Sequence, residues 1–228
     1  MSPEKTLKRQ LENDGATLVG IGDVTDALTP DIGHLKRAVA IAVNRRLNSQ
    51  TVSLLLGLQK ETEAWLKSRG FRFLSIPPDS DRRKGKFISN LYDLFSHKTA
   101  ATCSGLGWIG KNGLIINRQY GPRLSWATVL TDAPLGADKP VKDSLCGDCD
   151  LCVRYCPSGA IVGRNWSVKE PFNEIVDYAK CKSLKKRRHI FEEKPNCGLC
   201  INICPYARGE CGADKDKKSK RQCAGGRL

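Results

Sequence analysis

The strongest constraint on this chain is the spacing of its cysteines between residues 146 and 204. Cys146, Cys149 and Cys152 follow one another at two-residue gaps, and Cys156 comes three residues later, directly before Pro157. This is the bacterial ferredoxin spacing for a [4Fe–4S] cluster, in which three sulfurs of one loop bind one cluster and the fourth binds the other. The sequence therefore predicts two clusters with crossed ligation.

A second cysteine run repeats the first with one ligand missing. Cys197, Cys200 and Cys204-Pro205 match it, but Lys194 stands where a third cysteine is expected, and Cys181 is the nearest spare upstream. We therefore assign Cys146, Cys149, Cys152 and Cys204 to cluster one. Cluster two receives Cys156, Cys181, Cys197 and Cys200.

Structural zinc is the alternative for paired Cys-x-x-Cys motifs, but zinc does not call for a three-cysteine run with a crossing fourth ligand. Disulfides are less favoured because we find no apolar secretory segment at the N-terminus. Cys103, Cys211 and Cys223 remain after eight ligands are assigned. Cys103 is expected to be a buried thiol, and the other two are expected to be surface thiols.

Composition indicates a basic protein without a membrane span. The formal net charge is +14, and two oxidised clusters of about −2 each would lower it to roughly +10. Such a charge favours nucleic acid, an anionic surface or an acidic electron donor, although solubility alone also explains it. No apolar run is long enough to cross a bilayer, and we expect a cytoplasmic location.

Hydrophobic periodicity predicts alternating helices and strands before the cysteines. The expected helices cover 4–14, 50–68 and 97–103, and the expected strands cover 16–21, 37–43, 71–76, 114–117 and 124–130. The pattern favours an α/β or α+β layer. We predict an α/β domain over 1–143, a double-cluster ferredoxin-like domain over 144–210 and a basic, flexible tail over 211–228.

A glycine-rich segment, Gly105-Leu106-Gly107-Trp108-Ile109-Gly110-Lys111-Asn112-Gly113, precedes the cysteines. It is not a Walker loop, and a helix rather than a strand is predicted before it, so the dinucleotide fingerprint lacks its context. A ligand loop and a tight turn with a buried Trp both remain open. The basic run 182–189 is either a solvated face or an RNA contact, and it has no interleaved aromatics.

Several segments together resemble epoxyqueuosine reductase and its relatives, which are related to reductive dehalogenases. They are His97 to Asn112, Tyr120-Gly121-Pro122, Ala127 to Asp132 and Cys146 to Ile161. The resemblance implies a cobalamin-binding, nitroreductase-like α+β domain followed by a ferredoxin-like domain. It also implies that a base-off corrinoid is lined by Gly105, Leu106, Gly107, Trp108, Gly110, Lys111 and Asn112.

Three departures from the family pattern are visible. The chain ends soon after the second cysteine run, so we expect a short form without the family's C-terminal helical-repeat domain. The segment that carries the family's proton-donating aspartate reads Asn90 to Lys98 here, with Leu91 at or near the acid's position and Asp93 two residues away. The stretch from Pro77 to Asn90 also differs. We therefore assign the family's catalytic acid to no residue of this chain. The candidate proton donors are Tyr92, Asp93, His97 and Lys111.

Two functions are expected. The first is an oxidoreductase that takes electrons from a ferredoxin- or flavodoxin-type donor, passes them through cluster two and cluster one to a bound corrinoid, and acts on a small molecule or, less favoured, tRNA. The second is an electron-transfer module that reduces a separate corrinoid protein or enzyme. The absent acid favours the second, whereas the glycine-rich segment favours the first.

Overall fold

The computed structural model describes residues 2–78, 91, 94–169, 174–187 and 197–208. Its contacts divide the chain into two units. The sheet unit comprises Met1–Leu106 and Leu124–Val141, and the cysteine unit comprises Gly107–Arg123 and Lys142–Leu228. The domain boundaries at 143 and 210 stay predictions.

The described strands are β1 (Leu18–Asp23), β2 (Arg37–Val43), β3 (Phe73–Ile76), β4 (Trp108–Ile109), β5 (Ile115–Ile116) and β6 (Ser125–Thr131). The helices in the described residues are α1 (Pro3–Asn13), α2 (Ser49–Lys67), α3 (His97–Cys103), α4 (Leu151–Arg154), α5 (Tyr178–Arg187) and α6 (Leu199–Asn202). Short 3-10 turns cover Thr25–Ala27, Pro30–Ile32 and Pro205–Arg208. No helix of the described residues is long and apolar enough to span a bilayer.

The sheet unit is built on a four-stranded sheet with the order β1-β2-β6-β3. Every pairing in this sheet is antiparallel. Strands β2 and β3 both pair with β6, on its two sides, so they run parallel to each other and α2 connects them as a split βαβ unit. This explains why helices and strands alternate in sequence although the sheet is antiparallel. The mixed α+β class is confirmed, and a parallel α/β layer is not observed in this sheet.

Strand β2 separates two apolar clusters because its side chains alternate between the sheet faces. Val39 and Ile41 pack on one face with Leu7, Leu11 and other buried residues of α1 and α2. Ala38 and Ala40 pack on the opposite face with Ala100 of α3 and with Leu130. Helices therefore cover the sheet on both faces, which matches the continuous burial of β2.

His97, the first residue of α3, is half-buried and bonded at both ring nitrogens. Nδ1 lies 2.8 Å from the Thr128 hydroxyl, and Nε2 lies 3.0 Å from the Pro77 carbonyl oxygen. Since a carbonyl only accepts, Nε2 carries the proton and Nδ1 accepts from Thr128. Burial lowers the pKa of His97 to about 4, although the Pro77 carbonyl opposes that shift. The side chain is neutral at pH 7, and its geometry is that of a structural histidine.

The described part of the cysteine unit contains the β4–β5 hairpin and the helices α4, α5 and α6. The hairpin pairs Trp108 with Ile116 and Ile109 with Ile115. Trp108 is among its most buried side chains. A bridge between Ile161 and Val176 joins the segment that follows α4 to the one that precedes α5.

We predict that the His97→Gln variant changes the pH dependence of stability. Because the folded pKa lies near 4 and the unfolded value near 6.5, protonation favours the unfolded chain. The stabilisation present above pH 6.5 is therefore lost as the pH falls, by about 2 kcal/mol between pH 8 and pH 5. Glutamine does not titrate, so the variant should lose less stability over this range. Urea unfolding followed by circular dichroism measures the difference, and parallel losses would contradict it.

Candidate metal centre

Four cysteines that the spacing assigns to cluster one line a single pocket of the cysteine unit. The empty space between its lining residues, open solvent included, is ≈ 360 Å³. Its lining consists of Cys146, Cys149, Cys152 and Cys204 together with Lys111, Asn112, Ile116, Leu151, Pro205 and Tyr206. Cys204 lies 52 or more residues along the chain from the other three, so the fold, rather than local sequence, joins it to them.

The sulfurs of this pocket need a cation among them before they can all carry negative charge. Burial raises the pKa of the Cys152 thiol to about 12, and the neighbouring thiolates of Cys146, Cys149, Cys200 and Cys204 add to the shift. Without a cation among them, several thiolates in one apolar pocket repel one another. Binding iron removes the thiol protons and compensates the negative charge, so these residues fit an iron–sulfur cluster.

A second group of cysteines meets around Cys200. Burial raises the pKa of the Cys200 thiol to about 11, with further contributions from Cys181, Cys197 and Cys156. The partners include Cys181 from α5, the solitary cysteine that spacing assigned to cluster two. Within the described residues, no group of three or more His, Cys, Asp or Glu side chains is arranged to hold a single metal ion.

Both Cys-Pro turns direct backbone N–H groups at the cysteine sulfur. Burial raises the pKa of Cys204 to about 11, and N–H bonds from Tyr206 and Ala207 oppose that shift. For Cys156, burial also acts to raise the pKa. Hydrogen bonds from the Ser158 side chain and backbone, and from the backbone of Ala160 and Ile161, outweigh it and lower the pKa. These donors favour the thiolate form that binds metal.

The turn of the β4–β5 hairpin contributes two buried polar side chains to this site. Lys111 and Asn112 are each 7% exposed. The Lys111 Nζ donates to the Gly147 carbonyl oxygen at 2.8 Å, and the Asn112 Nδ2 donates to the Cys200 carbonyl oxygen at 3.1 Å. One hairpin turn therefore holds a backbone group from each cysteine run. Sequence reasoning missed this role, and the only local signal was two polar residues between apolar strands.

The glycines of the predicted corrinoid segment serve close packing within their own units. A Cβ on Gly107 would lie 2.5 Å from the Ile116 carbonyl oxygen, and one on Gly110 would lie 2.7 Å from the Ile116 side chain. Gly105 and Leu106 belong to the sheet unit, where a Cβ on Gly105 would lie 2.5 Å from the Lys139 carbonyl oxygen. These spaces are filled by the chain, so the glycines form no open cradle for a corrinoid. The assignment of the segment to a corrinoid stays a prediction.

Trp108 and Tyr206 connect the hairpin to the pocket. Their ring centroids lie 5.0 Å apart in an edge-to-face arrangement, and Tyr206 lines the pocket. Burial raises the pKa of the Tyr206 hydroxyl, and the nearby Cys146 makes the next largest contribution. The Trp108 indole N–H is buried and has no hydrogen-bond partner among the described residues.

The other predicted residues lie apart from the pocket or outside the described residues. Cys103 was expected to be buried, but it is half-buried in the sheet unit. Burial and then the nearby Asp23 raise the pKa of its thiol. Leu91 is buried. Tyr92, Asp93, Cys211, Cys223 and 188–196 lie outside the described residues.

Comparison with known proteins agrees with this site. Residues 145–207 match the family described as the 4Fe-4S double cluster binding domain. An epoxyqueuosine reductase from Synechococcus sp. (strain RCC307) is 35% identical over 127 residues, which is 52% of this chain and 37% of that relative. The resemblance to epoxyqueuosine reductases is thereby confirmed. The chain spans little more than a third of the length of this relative.

Solved structures share the fold. A crystal structure of epoxyqueuosine reductase with a tRNA-Tyr epoxyqueuosine-modified stem loop has a TM-score of 0.61 at 19% identity, covering 95% of this chain and 68% of that one. A reductive dehalogenase structure that suggests a mechanism for B12-dependent dehalogenation has a TM-score of 0.64 at 18% identity, covering 96% of this chain and 33% of that one. At these identities the likeness shows a common fold.

We predict that the Gly121→Ala variant loses cluster iron. Gly121 has φ +57°, and a Cβ there would lie 2.6 Å from the Ala207 backbone nitrogen, which donates to the Cys204 carbonyl. The turn that holds Cys204 must then shift. Iron per chain and visible absorbance after anaerobic purification should fall by about half, since each of two clusters holds about four irons.

Gly163→Ala is the matched control for that variant. Gly163 also has positive φ, +93°, but a Cβ there meets only Val153, at ordinary contact distance. Alanine at position 163 should therefore strain the backbone without displacing a cysteine. Equal iron in Gly121→Ala and Gly163→Ala would show that the approach of Gly121 to Ala207 does not position Cys204.

Proposed function

We propose that this protein is an iron–sulfur oxidoreductase that passes low-potential electrons through two [4Fe–4S] clusters to a bound corrinoid, for reductive chemistry like that of epoxyqueuosine reductase. The observation that carries the proposal is the convergence of Cys204 with Cys146, Cys149 and Cys152 on one pocket. In this proposal residues 1–143 form the corrinoid-binding, nitroreductase-like part, and the protein acts in the cytoplasm.

The proposed ligands are Cys146, Cys149, Cys152 and Cys204 for cluster one, and Cys156, Cys181, Cys197 and Cys200 for cluster two. The electrostatic neighbours of Cys200 are the other three members of its set. Those of Cys152 are the other three members of its set together with Cys200 of the second set. In this arrangement Cys156 and Cys204 each leave their own run and bind with the other. Crossing makes the two clusters one rigid body, which keeps the reorganisation on electron transfer small.

Electrons are proposed to enter at cluster two. Cys197 is exposed, whereas the four cysteines of the other set are each half-buried. Lys180 and Lys182 flank Cys181 on α5 and are exposed. A ferredoxin- or flavodoxin-type donor with an acidic face would be attracted to this basic helix.

The chain's own residues hold and shield the clusters. The Cys-Pro turns supply N–H donors to Cys156 and Cys204, and Lys111 and Asn112 fix the backbone of both cysteine runs. Trp108 and Tyr206 exclude water beside the pocket. When bound, the clusters supply one-electron transfer, and a reduced corrinoid supplies a strong nucleophile or electron donor.

The second candidate is an electron-transfer protein that reduces a separate corrinoid protein or enzyme. Its specific support is that Ile116 fills the side-chain spaces of Gly107 and Gly110, so these glycines need no ligand to explain them. The half-buried His97 is also neutral and bonded at both nitrogens, which makes it a poor proton donor. Corrinoid binding within this chain is supported by the epoxyqueuosine reductase resemblance and by the fold shared with a B12-related dehalogenase.

Metal analysis distinguishes the two candidates. The full chain is purified anaerobically from cells supplied with cobalamin, and iron and cobalt are counted. About eight irons and one cobalt per chain are expected for the first function. Eight irons without cobalt, even after incubation with cobalamin, would reject the corrinoid step and leave the electron-transfer function. Fewer than about four irons would reject both.

The Cys181→Ser variant tests the ligand assignment. Cys181 is the one proposed ligand that stands outside both cysteine runs, and serine is a poor substitute for a thiolate on iron. We expect cluster two to become labile, so that about four irons and one cluster signal remain. Iron analysis with electron paramagnetic resonance measures this, and Cys103→Ser serves as a control that should keep both clusters. An intact second cluster in Cys181→Ser would show that the ligand is another residue.

RNA contact is a further proposed interaction. Residues 182–189 are basic, and a protein of the same fold has been solved with a tRNA stem loop. The side chains of 185–187 and the whole of 188–189 lie outside the described residues. Filter binding of tRNA over a salt series tests it, and absence of binding at low salt would remove tRNA as a partner.

A further inference from the structure

We propose that the charge of Lys111 sets the reduction potential of cluster one, and therefore the direction of electron flow inside the cysteine unit. The inference rests on the proposed function, because it takes Cys146, Cys149, Cys152 and Cys204 as the ligands of that cluster. It gives Lys111 a role as a positioning and electrostatic residue of this site.

The burial of Lys111 requires an explanation. Its exposure is only 7%, and lysine is rarely buried without a partner because desolvation of an ammonium group is costly. The position of Lys111 in a hairpin turn keeps the residue buried. Lys111 occupies the turn of the β4–β5 hairpin between Gly110 and Asn112, and the Gly113 N–H donates to the Gly110 carbonyl at 2.8 Å across that turn.

We assign the compensating negative charge to the cysteine pocket, which the Lys111 side chain lines. Among the described residues, Lys111 forms no ion pair with a carboxylate. Its Nζ bonds a neutral acceptor, the carbonyl of Gly147, at 2.8 Å, and its side chain lines the same pocket as the four cysteines. Gly147 follows Cys146 directly. The ammonium group is therefore fixed on the residue that directly follows Cys146, a proposed ligand of cluster one.

This placement acts more strongly on the reduced cluster than on the oxidised one. Four thiolates on an oxidised cubane give a charge of about −2, and reduction makes it about −3. Reduction adds one electron from the low-potential donor, and no bond is made or broken. A buried positive charge stabilises the more negative state, because charges interact strongly where water is excluded. Lys111 thus raises the potential of cluster one and makes it the electron acceptor of the pair.

The test uses the full chain with both clusters assembled and compares four variants. Lys111→Gln removes the charge but keeps an N–H donor, and Lys111→Met removes both. Lys111→Arg keeps the charge. Lys142→Met is the matched control, because Lys142 is an exposed lysine of the same unit, so the net charge falls equally without a change in the pocket.

Potentials are measured by redox titration followed by electron paramagnetic resonance, and cluster one is the signal that survives in Cys181→Ser. We expect both neutral variants to reduce the equilibrium constant for reduction of cluster one at least tenfold, which is 59 mV for one electron. Lys111→Arg and Lys142→Met should stay near the wild type, and cluster two should not move.

The outcomes distinguish an effect of the Lys111 charge on the cluster from an effect of the shape of its side chain. A cluster-one potential in Lys111→Gln equal to that of Lys142→Met overturns the proposal. The neutral variants could lose the iron of cluster one. In that case, retention of the iron in Lys111→Arg supports the proposal that the charge is required, whereas loss of the iron in Lys111→Arg overturns the proposal. A wild-type protein without cluster signals would instead reject the proposed function itself.

Discussion

Burial of several like-charged sulfurs in one small pocket is the condition that the cysteine unit has to accommodate. Burial and mutual repulsion raise the pKa of Cys152 to about 12, so a metal-free pocket holds neutral thiols. Iron converts these sulfurs to thiolates and compensates their charge. Deprotonating these thiols costs free energy that the iron–sulfur bonds must offset, and the local fold of the unit is expected to depend on the clusters.

The rest of the unit supplies donors where negative charge accumulates. N–H groups follow both Cys-Pro turns, while Lys111 and Asn112 reach the backbone of the two cysteine runs from a single hairpin turn. The pairing of β4 with β5 and the contact of buried Trp108 with Tyr206 hold the hairpin in place. Its contribution to an iron–sulfur protein is therefore positional and electrostatic.

Much of the fold and of the candidate metal site was predictable where the sequence pattern is local. Strand β2 has the predicted bounds, helices α1, α2 and α3 lie within one residue of theirs, and the four cysteines that spacing grouped as cluster one line one pocket. The insertion of β6 between β2 and β3 was not predictable, because strand pairing over such separations leaves no local pattern. The same holds for Lys111 and Asn112, whose partners lie 36 and 88 residues away. The glycine pattern around these two residues is the same whether the segment is a ligand loop or a closely packed hairpin.

Anomalous diffraction at the iron edge from crystals of the anaerobically prepared protein measures the crossed ligation most directly. Two iron clusters are expected, one bonded to Cys204 together with Cys146, Cys149 and Cys152, and the other bonded to Cys156 together with Cys181, Cys197 and Cys200. Bonding of Cys156 to the same cluster as Cys146, or iron density with no bond from Cys181, would contradict the arrangement proposed for this protein.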